Sequence, residues 1–139
     1  MWRILCVEDS SDSLELLSFV LKNANENLIV EGAQSAAEAI RLISAQPFDL
    51  YVLDRRMPGM DGAELCQWIR RSGSGSPVIF YTGAVRDVDR AQAFEAGANE
   101  YLIKPNDLFR LGGAVKRLLG SAPPLDVKRP ATVLTHRPV

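Results

Sequence analysis

Five side chains able to handle a charged group stand at or near the ends of short apolar runs. Glu8 and Asp9 follow "ILCV" (Ile4 to Val7), and Asp54 ends "DLYVLD" (Asp49 to Asp54). Thr82 closes "PVIFYT", and Lys104 ends "EYLIK" (Glu100 to Lys104). If those ends lie side by side, the three carboxylates repel and raise one another's pKa unless something positive sits among them. A divalent cation resolves the conflict. All-oxygen ligands of this kind suit magnesium, which keeps several waters and accepts phosphate oxygens. The lysine adds a second positive charge opposite the metal, and the threonine adds a donor. Phosphoryl transfer needs in-line positioning and neutralised equatorial oxygens more than covalent machinery. The set therefore reads as a phosphoryl clamp, with Asp54 as the nucleophile that forms an aspartyl phosphate.

Taken singly, each residue has an ordinary reading. Strand-end acids cap following helices, a threonine there is a turn residue, and a Lys-Pro pair is a solvated loop. Their joint placement argues otherwise, and that placement depends on the elements. The four runs above, the third extending from Pro77 to Gly83 as "PVIFYTG", make five candidate strands with "LIVEGA" (Leu28 to Ala33). Four of the five are nearly continuous and β-branched or aromatic, as strands buried on both faces are. Between and after them run helical periods: Leu14, Leu17 and Leu21; Ala36, Ile40 and Ile43; Leu65 and Ile69; Val88, Ala91 and Phe94; Leu108, Leu111, Val115 and Leu118. Each period implies one buried helix face. Ser35 with Glu38 makes a capping-box pattern, Asp61 is a candidate N-cap, and Pro47, Gly73 and Gly97 follow helices as stops. Gly112 and Gly113 interrupt the last helix, at about 1 kcal/mol each relative to alanine.

Five successive βα units imply a doubly wound α/β domain, a five-stranded parallel sheet with five helices on its two faces. In such sheets the ligand site lies beyond the carboxyl ends of the strands, at the switch point of strand order. Those ends carry the five side chains.

Composition narrows the rest. The chain has 139 residues, enough for one domain, with 47% hydrophobic and 24% charged residues. A net charge of -1, from 16 basic and 17 acidic residues, predicts no bulk attraction to nucleic acid. Cys6 and Cys66 sit in apolar segments without CxxC spacing and read as buried thiols in a reducing compartment. No apolar run approaches the roughly 20 residues of a spanning helix, and the start lacks a signal-peptide pattern. The expectation is a cytoplasmic protein with no membrane partner.

The segments "VEDS" (Val7 to Ser10), "LDRRMPGMDG" (Leu53 to Gly62), "YTG" (Tyr81 to Gly83) and "GANEYLIKP" (Gly97 to Pro105) resemble the response-regulator receiver family. That family is the acceptor half of two-component signalling, and its members include the single-domain chemotaxis regulators. The resemblance spans about residues 1 to 120, with every motif in order. It implies the flavodoxin-like strand order 2-1-3-4-5. It also implies Asp54 as phosphoacceptor, with Asp9, Asp54 and the backbone carbonyl of Arg56 as direct Mg2+ ligands and Glu8 holding the ion through water. Thr82 resembles the switch hydroxyl and Lys104 the phosphate-pairing amine. Tyr101 resembles the aromatic that turns inward only once the threonine has moved onto a phosphoryl group, and Pro105 the family's cis-proline. The implied partners are a histidine kinase or histidine phosphotransfer protein upstream and a protein partner or output domain downstream. The implied readout surface is the fourth helix, fifth strand and fifth helix, with homodimerisation left open.

Arg55 and Arg56 read as solvated loop side chains. The alternative is that Arg56 overhangs the site and affects partner docking or the lifetime of the phosphate. Residues 121–139 carry four prolines and no helical period, and so read as a tail or a truncated linker, with His136 an exposed polar residue. Among rival functions, a flavin site would need a phosphate-cradling loop where "EDSSD" stands. An aspartyl-nucleophile phosphatase would need an acid where Arg56 stands. A degenerate receiver acting only as a scaffold is the serious alternative. It typically lacks an acid, the threonine or the lysine, and this chain keeps them all.

Overall fold

The computed structural model describes residues 1–120 and 124–125. Five strands, β1 (Trp2–Val7), β2 (Leu28–Ala33), β3 (Leu50–Leu53), β4 (Val78–Thr82) and β5 (Glu100–Ile103), form one sheet in the order β2-β1-β3-β4-β5. All four pairings are parallel. The β2-to-β3 connection crosses over β1 and reverses the direction of growth, so the switch point lies between β1 and β3, where Val7 pairs with Leu53. Glu8 and Asp54 follow those two residues directly. β3 and β4 are buried along their whole length, consistent with their uninterrupted apolar sequence, whereas the outer strand β2 is buried only at its ends.

Five helices cover the sheet: α1 (Ser11–Ala24), α2 (Ala36–Ala45), α3 (Gly62–Arg71), α4 (Asp87–Ala96) and α5 (Leu111–Leu119). The core is split by the sheet. One cluster joins Leu5, Val7, Leu53, Phe80 and Tyr101 to Ala39 of α2, Leu65 and Ile69 of α3, and Ala93 of α4. The other joins Ile4, Val52, Ile79 and Leu102 to Leu17 and Leu21 of α1 and to Leu111 and Val115 of α5. Both cysteines are buried and free, and burial pushes the Cys6 thiol up to about 12.

Caps set several helix starts. The Ser10 hydroxyl accepts from the Ser13 N–H. At α3 the Asp61 and Glu64 side chains complete a reciprocal capping box. At α2 only half of the expected box forms. Ser35 accepts from the Glu38 N–H, but the Glu38 carboxylate reaches past Ser35 to the N–H of Gln34.

Two expectations are corrected. The buried face of α4 is Asp89, Ala93 and Ala96, while Val88, Ala91 and Phe94 lie on its exposed side. Small alanines pack against the sheet there, and the larger apolar residues, at equally helical spacing, face outward. The last helix begins later than its apolar period suggests, because Leu108 belongs to a 3-10 turn, Leu108–Arg110, that leads into α5. Gly112 and Gly113 sit inside α5 without breaking it. A Cβ on Gly112 would lie 2.8 Å from the Ala24 Cβ, so this glycine lets α5 approach α1 closely, whereas one on Gly113 would meet nothing within 4 Å.

The expectations for residues 121–123 and 126–139, including His136, fall outside the described residues. Leu125 donates its N–H to the buried Asp49 carboxylate (2.7 Å), whose other oxygen accepts from the Arg3 N–H at the start of β1. No helix among the described residues is long and apolar enough to cross a membrane.

Candidate functional site

The strand-end side chains meet on one rim. Asp54 is held there by its backbone, whose N–H donates to the Val7 carbonyl at 3.0 Å. Behind it α3 starts almost on top of the Asp54 backbone: a Cβ on Gly62 would stand 2.0 Å from the Asp54 carbonyl oxygen and 2.9 Å from the Phe80 ring. Only glycine fits at that helix start, which lets α3 begin against the Asp54 backbone.

Both oxygens of the buried Asp54 carboxylate are engaged. Oδ1 accepts from the Thr82 hydroxyl at 2.7 Å and from the Arg56 N–H at 3.2 Å, and Oδ2 accepts from Lys104 Nζ at 3.1 Å. The same ammonium donates to Glu8 Oε1, and Glu8 Oε2 accepts from the Ser10 N–H at 2.9 Å. Carboxylate oxygens of Glu8, Asp9 and Asp54 lie within 4.8 Å of one another, Glu8 and Asp54 buried and Asp9 exposed. The sheet sets the Lys104 position too, since its N–H donates to the Thr82 carbonyl at 2.9 Å, and the Lys104–Pro105 peptide is cis.

The electrostatics follow from two buried acids sharing one amine, with a third acid beside them. Burial works against the charge on Asp54. The Thr82 hydroxyl, the interaction with Glu8 and the Lys104 ammonium outweigh it and hold the carboxyl below its ordinary value. Burial dominates at Glu8 and raises it, with Lys104 and the Ser10 N–H opposing. Lys104 is likewise partly desolvated, but Glu8 and Asp54 keep it protonated and lift its pKa. One ammonium against three carboxylates leaves the cluster short of positive charge. Asp9 faces water with an oxygen close to the other two. This hard, all-oxygen donor set fits a divalent cation such as magnesium.

Tyr101 sits inward. Its ring stacks on Phe80 with centroids 5.9 Å apart, and its hydroxyl donates to the Ala84 carbonyl at 2.7 Å. The Ala84 N–H donates to the Thr82 hydroxyl at 3.2 Å, which links ring, loop and Asp54 in one chain of contacts. The ring is buried in this arrangement, with Thr82 donating to the Asp54 carboxylate itself.

Arg55 is also not the solvated side chain expected. It is 7% exposed, with hydrogen bonds to Asp61 (3.0 Å), to Gln92 and to the Asp89 carbonyl (3.4 Å). Arg56 is largely exposed but is tied to the Asp89 carboxylate at 3.1 Å, which also receives Arg86. Asp89, buried at the start of α4, was missed by sequence reasoning because acids in a first helical turn are normally solvated partners of the helix dipole. The available signal was three arginines, Arg55, Arg56 and Arg86, in two short loops.

The chain matches the response regulator receiver domain family over residues 4–116. It is 36% identical over 120 residues to the transcriptional regulatory protein ResD of Bacillus subtilis, a match covering 86% of this chain and 49% of ResD. It is 38% identical over 123 residues to an uncharacterized 14.6 kDa protein of Leptolyngbya boryana, covering 87% of this chain and 92% of that one. In structure it is similar to the BeF3-activated receiver domain of DrrB, with a TM-score of 0.78, 29% identity and coverage of 86% of this chain and 97% of that one. The chain spans about half the length of ResD. A receiver fold whose strand ends gather three carboxylates, a hydroxyl and an amine is the class these observations define. The chain belongs to the response regulator receiver domain family, and thus to two-component signalling.

Proposed function

We propose that the chain is a phosphorylation-dependent signalling switch that accepts a phosphoryl group on Asp54. The donor is a histidine kinase or a histidine phosphotransfer protein. The observation that carries this reading is the Asp54 carboxylate, buried yet kept charged, with Thr82 on one oxygen and Lys104 on the other. An Asp54 oxygen forms the new O–P bond as the donor's P–N bond breaks, and the electron pair leaves with the imidazole nitrogen. Lys104 neutralises phosphoryl oxygens from one side, and Thr82 donates to another oxygen once the group is present. Asp9, Asp54 and the Arg56 carbonyl would hold Mg2+ directly and Glu8 through water. The ion supplies charge neutralisation at the phosphoryl oxygens. The chain is a regulator rather than an enzyme acting on a separate substrate, with self-catalysed phosphotransfer and slow autodephosphorylation.

Readout runs from Thr82 through Ala84 to Tyr101 and on to the surface of α4, β5 and α5. There a downstream protein or an output domain is engaged, and homodimerisation is one form that engagement takes. Residues 1–120 act as the receiver in the cytoplasm, and 121–139 as tail or linker. Direct binding of nucleic acid or membrane is not part of this reading. Incubation with acetyl phosphate and Mg2+ should add one phosphoryl mass to the wild type and none to Asp54→Asn. An unmodified wild type, or equal modification of the variant, overturns the assignment.

A further inference from the structure

Beside the acceptor lies a cleft of about 540 Å³ between the β3–α3 and β4–α4 loops, walled by Arg55, Arg56, Arg86, Asp61 and Asp89 over a floor that includes Pro58. Its charges do not cancel. Arg55 is neutralised by Asp61 and buried. Arg86 takes both Asp89 oxygens, through Nε at 3.2 Å and a terminal nitrogen at 3.3 Å. Arg56 then joins the same carboxylate through one nitrogen only, at 3.1 Å. Two guanidinium groups share one carboxylate, and their side chains are 61% and 66% exposed. Three arginines against two aspartates leave the wall with one cation in excess, next to a residue whose own N–H touches Asp54.

A guanidinium has five donors in a planar fork suited to carboxylate or phosphate oxygens, and Arg56 spends one of them on Asp89. The volume falls in the range of small-molecule sites, and the wall is polar. We propose that this cleft holds a carboxylate on the leaving portion of a small acyl-phosphate donor while the donor's phosphoryl group faces Asp54. The inference rests on Asp54 as acceptor and names a substrate class for that site. In the step an Asp54 oxygen bonds to phosphorus, the bond from phosphorus to the acyl oxygen breaks, and the electron pair departs with the acyl carboxylate. No proton or redox partner is required.

The test compares succinyl phosphate, which carries the extra carboxylate, with acetyl phosphate at equal subsaturating concentration and low salt. Phosphorylation is followed by mass. Wild type should favour succinyl phosphate by roughly fivefold, the worth of one partly screened ion pair. The preference should fall to about unity in Arg86→Gln and persist in Arg86→Lys, as expected of a single-charge effect. Separately, 3-phosphonopropionate with Mg2+, a stable probe bearing both groups, should shift the Nε–H resonances of Arg56 and Arg86 saturably, and more weakly for Arg56 in Arg86→Gln. Equal, nonzero wild-type rates with the two donors, an undiminished preference in Arg86→Gln, or unmoved arginine resonances overturn the proposal. If neither donor modifies Asp54 yet the resonances shift, the cleft site stands and the acceptor reading fails instead.

Discussion

The Thr82 hydroxyl has two duties, donating to Asp54 Oδ1 and accepting from the Ala84 N–H, and it is fully buried while doing both. Thr82→Ala leaves that N–H without its acceptor, a loss of about 1–3 kcal/mol of stability by denaturant titration. It should still permit phosphorylation, because Lys104 and the acid cluster remain. What it should lose is coupling. With beryllofluoride and Mg2+ standing in for the phosphoryl group, Tyr101 ring resonances respond in wild type and stay still in Thr82→Ala. Equal responses in both proteins remove Thr82 as the switch. Asp89 offers a second residue-level test. Its hydrogen bonds from Arg86, opposed by burial and aided by the charges of Arg86 and Arg56, hold its carboxyl below the ordinary 3.8. A group depressed on folding stabilises above its unfolded pKa, and that stability is lost as pH falls through the folded value. Stability measured from pH 5 down to pH 3 should therefore fall less steeply in Asp89→Asn than in wild type, and parallel curves refute the assignment.

Neighbouring glycines in α5 make a prediction at the level of the element. Gly113→Ala meets open space and gains helix propensity, so it should stabilise by about 1 kcal/mol. Gly112→Ala drives a Cβ to 2.8 Å from Ala24, and overpacking of that kind costs about 1–3 kcal/mol. Thermal or denaturant unfolding should rank the two on opposite sides of wild type, or at least separate them in that order. These helices also show what could be read from the chain. Strand positions were legible because β3 and β4 are buried on both faces and must be apolar throughout. The rim residues were legible because they follow strand ends. The face of α4 was not, since Val88, Ala91 and Phe94 recur as regularly as Asp89, Ala93 and Ala96. Only the sheet beneath decides between two such stripes. Arg55 was illegible for a related reason. Its burial depends on Asp89 and Gln92, 34 and 37 residues away, and no local pattern encodes those partners.

For the molecule as a whole, the sheet separates two apolar clusters that share no side chain. Ile4 belongs to the α1/α5 side and Ile69 to the α2/α3/α4 side. Ile4→Val and Ile69→Val should each cost about 0.5–1.5 kcal/mol and add in the double variant to within about 0.5 kcal/mol. A larger coupling energy means that the sheet transmits packing strain between its faces. The division has a further consequence for how such a protein diversifies. Thr82 lies at the end of β4, and the Phe80–Tyr101 stack belongs to one compartment, while α1 and α5 are packed by the other. If the two faces prove additive, mutations that reshape the α1/α5 exterior leave the packing behind the ring undisturbed. Across a lineage, partner choice on that side and the internal response to Asp54 can then drift at separate rates, and a duplicated copy can acquire a new recognition surface before its old switching behaviour is lost.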